Sequence, residues 1–144
     1  MKAERARLAR LKRLERIREI TRQTALAEAG RAEGKLAQLE ALGLRTTELA
    51  AEYAVRRNAD DAAGLLQLHR FVSGLGRIVI STSQDTARAR QIADDRAAEA
   101  ALAEQRRAAV EDRVSAQAQR IARKELSGND SAARRPGKLG TGLE

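Results

Sequence analysis

A regular spacing of apolar side chains dominates the second half of the chain. From position 65 onward, eighteen positions follow one another in alternating steps of three and four residues, and twelve of them are apolar. A sustained repeat of 3.5 residues is typical of a helix that supercoils against another helix. The pattern therefore predicts a long helix two over about residues 65–126. Its seam positions are Leu65, Leu68, Val72, Leu75, Val79, Thr82, Thr86, Ala89, Ala93, Arg96, Ala100, Ala103, Arg107, Val110, Val114, Gln117, Ile121 and Lys124.

The first part of the chain has a weaker seam of the same kind. It contains no proline before position 136, and it predicts a helix one over about residues 2–56. The step from Leu39 to Leu42 is three residues where the repeat requires four, so we expect a local stammer and a second seam carried by Leu42 and Leu49. The first seam consists of Leu8, Leu11, Ala25, Ala29, Ala32, Leu36 and Leu39.

A turn separates the two predicted helices at about residues 57–64. No large apolar residue occurs between Val55 and Leu65. Asn58 and Asp60 are favourable N-cap residues, and Asp61 suits the positive start of a helix. The fold prediction is therefore all-α, an antiparallel coiled-coil hairpin over residues 1–126. One continuous helix through residues 57–64 is the alternative.

The last eighteen residues have a different composition. Ser127-Gly128-Asn129-Asp130 is typical of a helix stop, and Pro136 follows among several glycines. We expect residues 127–144 to form a disordered basic tail.

The chemical inventory of the chain argues against catalysis. There is no Cys or Trp, one Phe, one Tyr and one His. A thiol site, a disulfide scaffold and a multi-His metal site are therefore not expected, and His69 is expected to have a packing or surface role. The glycines form no phosphate-binding loop. We expect no enzyme activity, no cofactor, no metal and, since no run of 18 apolar residues occurs, no membrane-spanning helix.

The net charge of +8 is unevenly distributed. Residues 1–22 carry nine Lys/Arg and three Glu, residues 23–119 carry thirteen basic and fourteen acidic side chains, and residues 120–138 carry six and two. An antiparallel hairpin would bring the two basic segments together. That end fits four interpretations: a solvated surface, a nucleic-acid surface, a membrane-surface helix, or a plug for an acidic or polar hole in a protein ring.

Short motifs in both helices resemble a known family. Helix one contains Gln38-Leu39-x-x-Leu42 and later Glu48-Leu49. Helix two opens with Leu65-Leu66-Gln67-Leu68-His69-Arg70-Phe71-Val72-x-x-Leu75. These stretches, together with the basic ends, are similar to the flagellar export stalk family FliJ, and the resemblance covers about residues 1–126.

The resemblance implies a non-enzymatic component of flagellar type III protein export that supports flagellum assembly and motility. Such a protein is cytoplasmic and peripheral at the cytoplasmic face of the inner membrane. Its basic end inserts into the hexameric export ATPase, and its other half contacts the export-gate protein FlhA. It also handles export chaperones. The related injectisome stalk protein and a nucleic-acid-associated basic coiled coil are the alternatives.

Two sets of site residues follow from this resemblance. The ATPase-ring set is Arg5, Arg7, Arg10, Arg13, Arg16, Arg120, Arg123 and Lys124. The export-gate set is Gln38, Leu42, Arg45, Leu49, Phe71, Leu75, Ile78 and Thr82. Phe71 is either an anchor for a partner or a packing residue against Leu49 or Tyr53. The family has aromatic residues near positions 45 and 49, a small residue at 78 and a His at 82.

Overall fold

The chain folds into two long helices that pack against each other. The computed structural model describes residues 1–55, 61–134 and 137. Helix α1 spans Lys2–Val55 and helix α2 spans Ala62–Ala133, with no strand in the described part of the chain. The all-α prediction is confirmed.

Both helices contribute to each of two compact units. Unit 1 comprises Met1–Thr21 with Glu104–Glu144, and unit 2 comprises Arg22–Ala103. In unit 1, Glu4 pairs with Lys124 and Glu19 pairs with Arg107. The partner number in α2 falls as the number in α1 rises, so the helices of unit 1 are antiparallel.

Unit 2 shows the same direction of pairing. Glu28 pairs with Arg96 at 3.5 Å and Glu40 pairs with Arg90 at 2.8 Å. Closer to the chain reversal, the rings of Tyr53 and Phe71 meet with centroids 4.9 Å apart. The antiparallel hairpin is thus confirmed within each unit.

The predicted seam of α2 is confirmed. Every α2 side chain that is buried lies on it: Leu75, Thr82, Ala89, Ala93, Ala100, Ala103, Val110, Gln117 and Ile121. Four of these nine are alanines, so the helices approach each other closely and bury little apolar area per residue. The seam weakens at its two ends, where Leu65 and Lys124 are exposed.

The predicted stammer in α1 is wrong. The seam continues in unbroken steps of three and four through Gly43 and Thr46, and Thr46 is only 5% exposed whereas Leu42 is 48% exposed. A Cβ atom at Gly43 would lie 3.5 Å from Cγ2 of Thr82, so the helices are close at this level. Leu42 and Leu49 instead flank the seam. A small pair of facing residues, rather than the largest apolar side chains, determines the register here.

Two threonines of the seams, the buried Thr46 and the half-buried Thr86, form hydrogen bonds within their own helices. Thr46 Oγ1 donates to the carbonyl oxygen of Leu42 at 2.7 Å, and Thr86 Oγ1 donates to that of Thr82 at 2.7 Å. Because each hydroxyl has an acceptor one turn back, burying it leaves no unpaired donor.

The start of α2 differs from the predicted one. The helix begins at Ala62, so residues 62–64 are helical rather than part of the turn. Asp61 is the N-cap, because its Oδ1 accepts a hydrogen bond from the Gly64 N–H at 2.7 Å. The predicted caps Asn58 and Asp60 lie outside the described residues.

The end of α2 also differs. The helix continues to Ala133, so residues 127–133 are helical and that part of the predicted disordered tail is wrong. Gly128 does not adopt a positive φ, and Ser131 Oγ donates to the Gly128 carbonyl at 2.9 Å. Without a left-handed residue or a proline, nothing forces the helix to stop at this point. Of the remaining tail, residues 135–136 and 138–144 lie outside the described residues.

Candidate partner-binding surfaces

The basic side chains proposed for ring binding all belong to unit 1, and all eight are exposed. The sequence of unit 1 contains 17 Lys/Arg and 9 Asp/Glu, whereas that of unit 2 contains 11 of each. The whole net charge of +8 therefore belongs to unit 1.

Two of these eight side chains also hold the helices together. Arg5 Nη2 donates to Glu125 Oε1 at 2.7 Å, and Lys124 Nζ donates to Glu4 Oε1. The hydrogen bond from Lys124 lowers the pKa of the Glu4 carboxyl below its usual value. Arg5 and Lys124 are therefore partly engaged within the hairpin. The other six are Arg7, Arg10, Arg13, Arg16, Arg120 and Arg123.

The seam of unit 1 is itself polar. Arg107 donates to Glu104 at 2.7 Å and to Glu111 at 2.8 Å, and it lies 3.7 Å from Glu19 of α1. These hydrogen bonds raise the pKa of the guanidinium. Gln117 is buried in the same seam. Charged and amide groups thus share the seam of unit 1 with the buried apolar residues Val110 and Ile121.

The side chains proposed for gate binding all belong to unit 2, but the structure does not make all of them available. Leu49 is half-buried. Five members of the set are exposed: Gln38, Leu42, Arg45, Phe71 and Ile78. Leu75 and Thr82, at 8% and 5% exposed, lie in the seam between the helices. A partner cannot reach these two side chains unless the helices separate.

An exposed apolar surface runs along one side of unit 2. Each of its members directly precedes a seam position, and successive members in the same helix lie seven or fourteen residues apart. Lys35 of α1 and Asp85 and Ile92 of α2 line the same depression, so the flanking positions of the two helices border one side. The surface, called the Phe71 face below, consists of Leu42, Leu49, Phe71, Ile78 and Ile92.

Phe71 combines the two roles considered for it. Its ring meets Tyr53 edge-on at an interplanar angle of 74°, which fits the packing interpretation. The same side chain is still 48% exposed. It is therefore an aromatic residue held in place by a neighbour and half open to solvent.

The other side of unit 2 carries polar groups together with exposed apolar side chains, among them Leu44 and Ile80. The Glu40–Arg90 ion pair crosses it, and the surrounding cleft is lined by Thr47, Ser83 and Thr86. Ile92 of the Phe71 face is absent from the site residues predicted from the sequence, although its place fourteen residues after Ile78 was a sufficient signal. The missed signal was a second apolar repeat, parallel to the seam and one residue before it.

Other classes of site find no support in the part of the chain that the structure describes. No cluster of three or more His, Asp or Glu side chains there has the arrangement of a metal site. His69 is exposed and lines an open apolar cleft with Tyr53 and Leu66. Neither described helix is apolar enough over 18 residues to cross a membrane.

Comparisons of this chain with protein-family models, with curated proteins and with solved structures found no match. The geometry of the two surfaces and the sequence motifs therefore carry the functional argument.

Proposed function

We propose that the protein is a stalk-like component of flagellar type III export. In this role the basic unit 1 enters the central hole of the hexameric export ATPase, and unit 2 contacts the export gate and export chaperones. The protein performs no chemistry of its own and connects its partners at the cytoplasmic face of the membrane.

The observation that carries the proposal is the segregation of charge. Unit 1 holds the entire net charge of +8. Six of the eight residues proposed for ring binding lie outside the ion pairs with Glu4 and Glu125, and they are exposed on both helices. A cationic tip attracts an acidic or polar cavity and speeds the encounter. Unit 2 is neutral and presents apolar side chains instead, which suits a partner of a different kind.

Binding to the cognate export ATPase tests the proposal. Replacing four arginines by Glu changes the charge of unit 1 from +8 to 0 while retaining Arg5 and Lys124, which pair across the helices. We expect this four-arginine variant to lose ring binding and stimulation of ATP hydrolysis, with unchanged helicity. The four are Arg7, Arg10, Arg13 and Arg16.

A matched control makes the same total change of charge in unit 2. Its four residues are exposed arginines of unit 2, so a general effect of net charge would appear in both variants. The control should bind the ring normally. Full stimulation by the four-arginine variant would contradict the proposal. The control residues are Arg31, Arg45, Arg70 and Arg77.

The charge of unit 1 also supports a second candidate, binding to nucleic acid. Six to ten phosphate contacts would lower the affinity by about 10³–10⁵ between 50 and 200 mM salt. A salt-sensitive shift of double-stranded DNA, lost in the four-arginine variant and without any ring binding, would favour this candidate over the stalk.

A further inference from the structure

We propose that the Phe71 face binds a second copy of this chain and forms a four-helix assembly of two hairpins. The face lies wholly within unit 2. The inference is independent of the proposed export function, because it concerns the protein alone. Where a gate protein uses the same face, dimer and gate binding would exclude each other.

Exposure of the apolar residues is the first argument. Leu42, Phe71 and Ile78 are each 48% exposed, and Ile92 is 50% exposed. The side chains that the hairpin buries in unit 2 are mostly alanine, threonine and one leucine. Unit 2 thus keeps mostly small residues inside and leaves large ones exposed, and large side chains on its other side are exposed as well. Those of the Phe71 face come from both helices and share one side, which is the arrangement expected when a further helix layer covers that side.

Gly74 is the second argument. It lies on the same side of α2 between Phe71 and Ile78, three residues after the first and four before the second. A Cβ at this position would meet no atom of the described residues within 4 Å, so packing inside the hairpin does not require a glycine. A helix is less stable with glycine than with alanine at an interior position. A gap between two large side chains can receive a large side chain from a facing helix.

The size of the face fits a dimer. Phe71 and Ile92 are 21 residues apart in one helix, which is about 32 Å at 1.5 Å per residue. Two helices about 10 Å apart, each about 10 Å wide, give a width of roughly 20 Å. The area that each copy contributes is the product of this length and this width. The two copies together would then bury about 1,300 Å², at the lower end of the range for specific interfaces.

The charges around the face favour a second copy over a highly charged partner. Near Ile92, Lys35 and Arg88 border the same depression as Asp85, and Arg88 lies 3.6 Å from Asp85. Unit 2 as a whole is neutral, with 11 basic and 11 acidic side chains. A copy of the same surface is therefore not repelled, whereas a polyanion such as nucleic acid gains no net attraction.

Sedimentation equilibrium of the purified full chain tests the proposal. We expect a reversible monomer–dimer equilibrium at micromolar concentration. Ile78→Glu should raise the dissociation constant by about tenfold or more, as a hot-spot side chain does, because a symmetric interface contains the substitution twice. Leu42→Glu should act in the same direction.

The chain supplies a matched control for each variant. Ile80 is 61% exposed and Leu44 is 64% exposed, and both lie away from the Phe71 face. Ile80→Glu and Leu44→Glu add the same charge at more exposed positions and should leave the dissociation constant unchanged. A chain that stays monomeric through the micromolar range, or a control as damaging as its test variant, would overturn the proposal.

Glycine substitution gives an independent second test. Gly74→Leu should weaken the dimer because the new side chain fills the gap, while Gly76→Leu, which also meets open space, should not. Both should retain the helicity of the monomer. If Gly74→Leu leaves the dissociation constant of the dimer unchanged, the proposed packing around Gly74 is wrong. The export proposal stands or falls separately, on ring binding through unit 1.

Discussion

Units 1 and 2 hold the same two helices together by different means. In unit 2 six of the seven buried side chains among the described residues are alanine or threonine, with Ala93 at 3% and Thr82 at 5% exposure, and the charges are balanced. In unit 1 the seam includes Arg107 and Gln117, and the unit carries the full net charge. The difference teaches that a single coiled-coil pattern can carry two surfaces of opposite character, one cationic and one apolar.

The largest effect is expected where unit 2 is most closely packed. Ala93→Glu would place a carboxylate between the helices without a partner, and we expect a loss of about 3 kcal/mol or more in the free energy of unfolding. Chemical denaturation followed by circular dichroism measures it. Ala97→Glu, on the exposed side of the same helix, is the control and should cost little. Equal losses would mean that the close packing of unit 2 is not what stabilises it.

A smaller effect is expected at the aromatic pair. Phe71→Ala removes the contact with Tyr53 and about half of a buried aromatic side chain, so we expect a loss of about 2 kcal/mol. The same denaturation experiment measures it. A loss near 4 kcal/mol, the value of a fully buried Phe, would contradict the half-exposed position described above.

Gly43→Ala should stabilise the hairpin. The new Cβ would lie 3.5 Å from Thr82 Cγ2, an ordinary contact, and alanine is the better helix former. We expect a gain of about 0.5–1 kcal/mol in the free energy of unfolding. Gly43→Leu is the counterpart and should destabilise by overpacking the seam. A lower free energy of unfolding in Gly43→Ala would show that the helices lie closer together at this position than the 3.5 Å contact indicates.

The smallest effect concerns the ion pair of Glu4 in unit 1. Lys124 lowers the pKa of this carboxyl in the folded state, so the stabilisation is present above the pKa of the unfolded chain and is lost as the pH falls through the folded value. Acidification should therefore loosen the Glu4–Lys124 contact. NMR titration of the Glu4 carboxyl measures it. In Lys124→Gln, the pKa of Glu4 should return toward its usual value, and no change would mean that the contact is absent in solution.

The sequence was sufficient for the seam of α2, but not for the two ends of that helix or for part of the seam of α1. The α2 seam was predictable because its small and large residues all keep one register. In α1 the apolar residues Leu42 and Leu49 suggested a change of register, whereas the seam passes through Gly43 and Thr46. Only the facing residue Thr82 explains that choice, and a contact between distant positions is not visible in the local pattern.

The two candidate surfaces were predictable to different degrees. The basic residues could be found by counting charges, because exposed arginines on a helix need no knowledge of packing. The apolar set mixed accessible residues with Leu75 and Thr82, which the seam buries. Residues one position apart on a helix differ by about 100° in direction, so a register error of one residue turns an exposed side chain into a buried one.

The central claim, that the two units carry separate binding surfaces, is tested most directly by measuring two affinities on the same variants. Binding to the export ATPase ring and self-association are measured for the four-arginine variant and for Ile78→Glu. We predict that the four-arginine variant loses the ring and still dimerises, and that Ile78→Glu loses the dimer and still binds the ring. Loss of both interactions in either variant would contradict the claim.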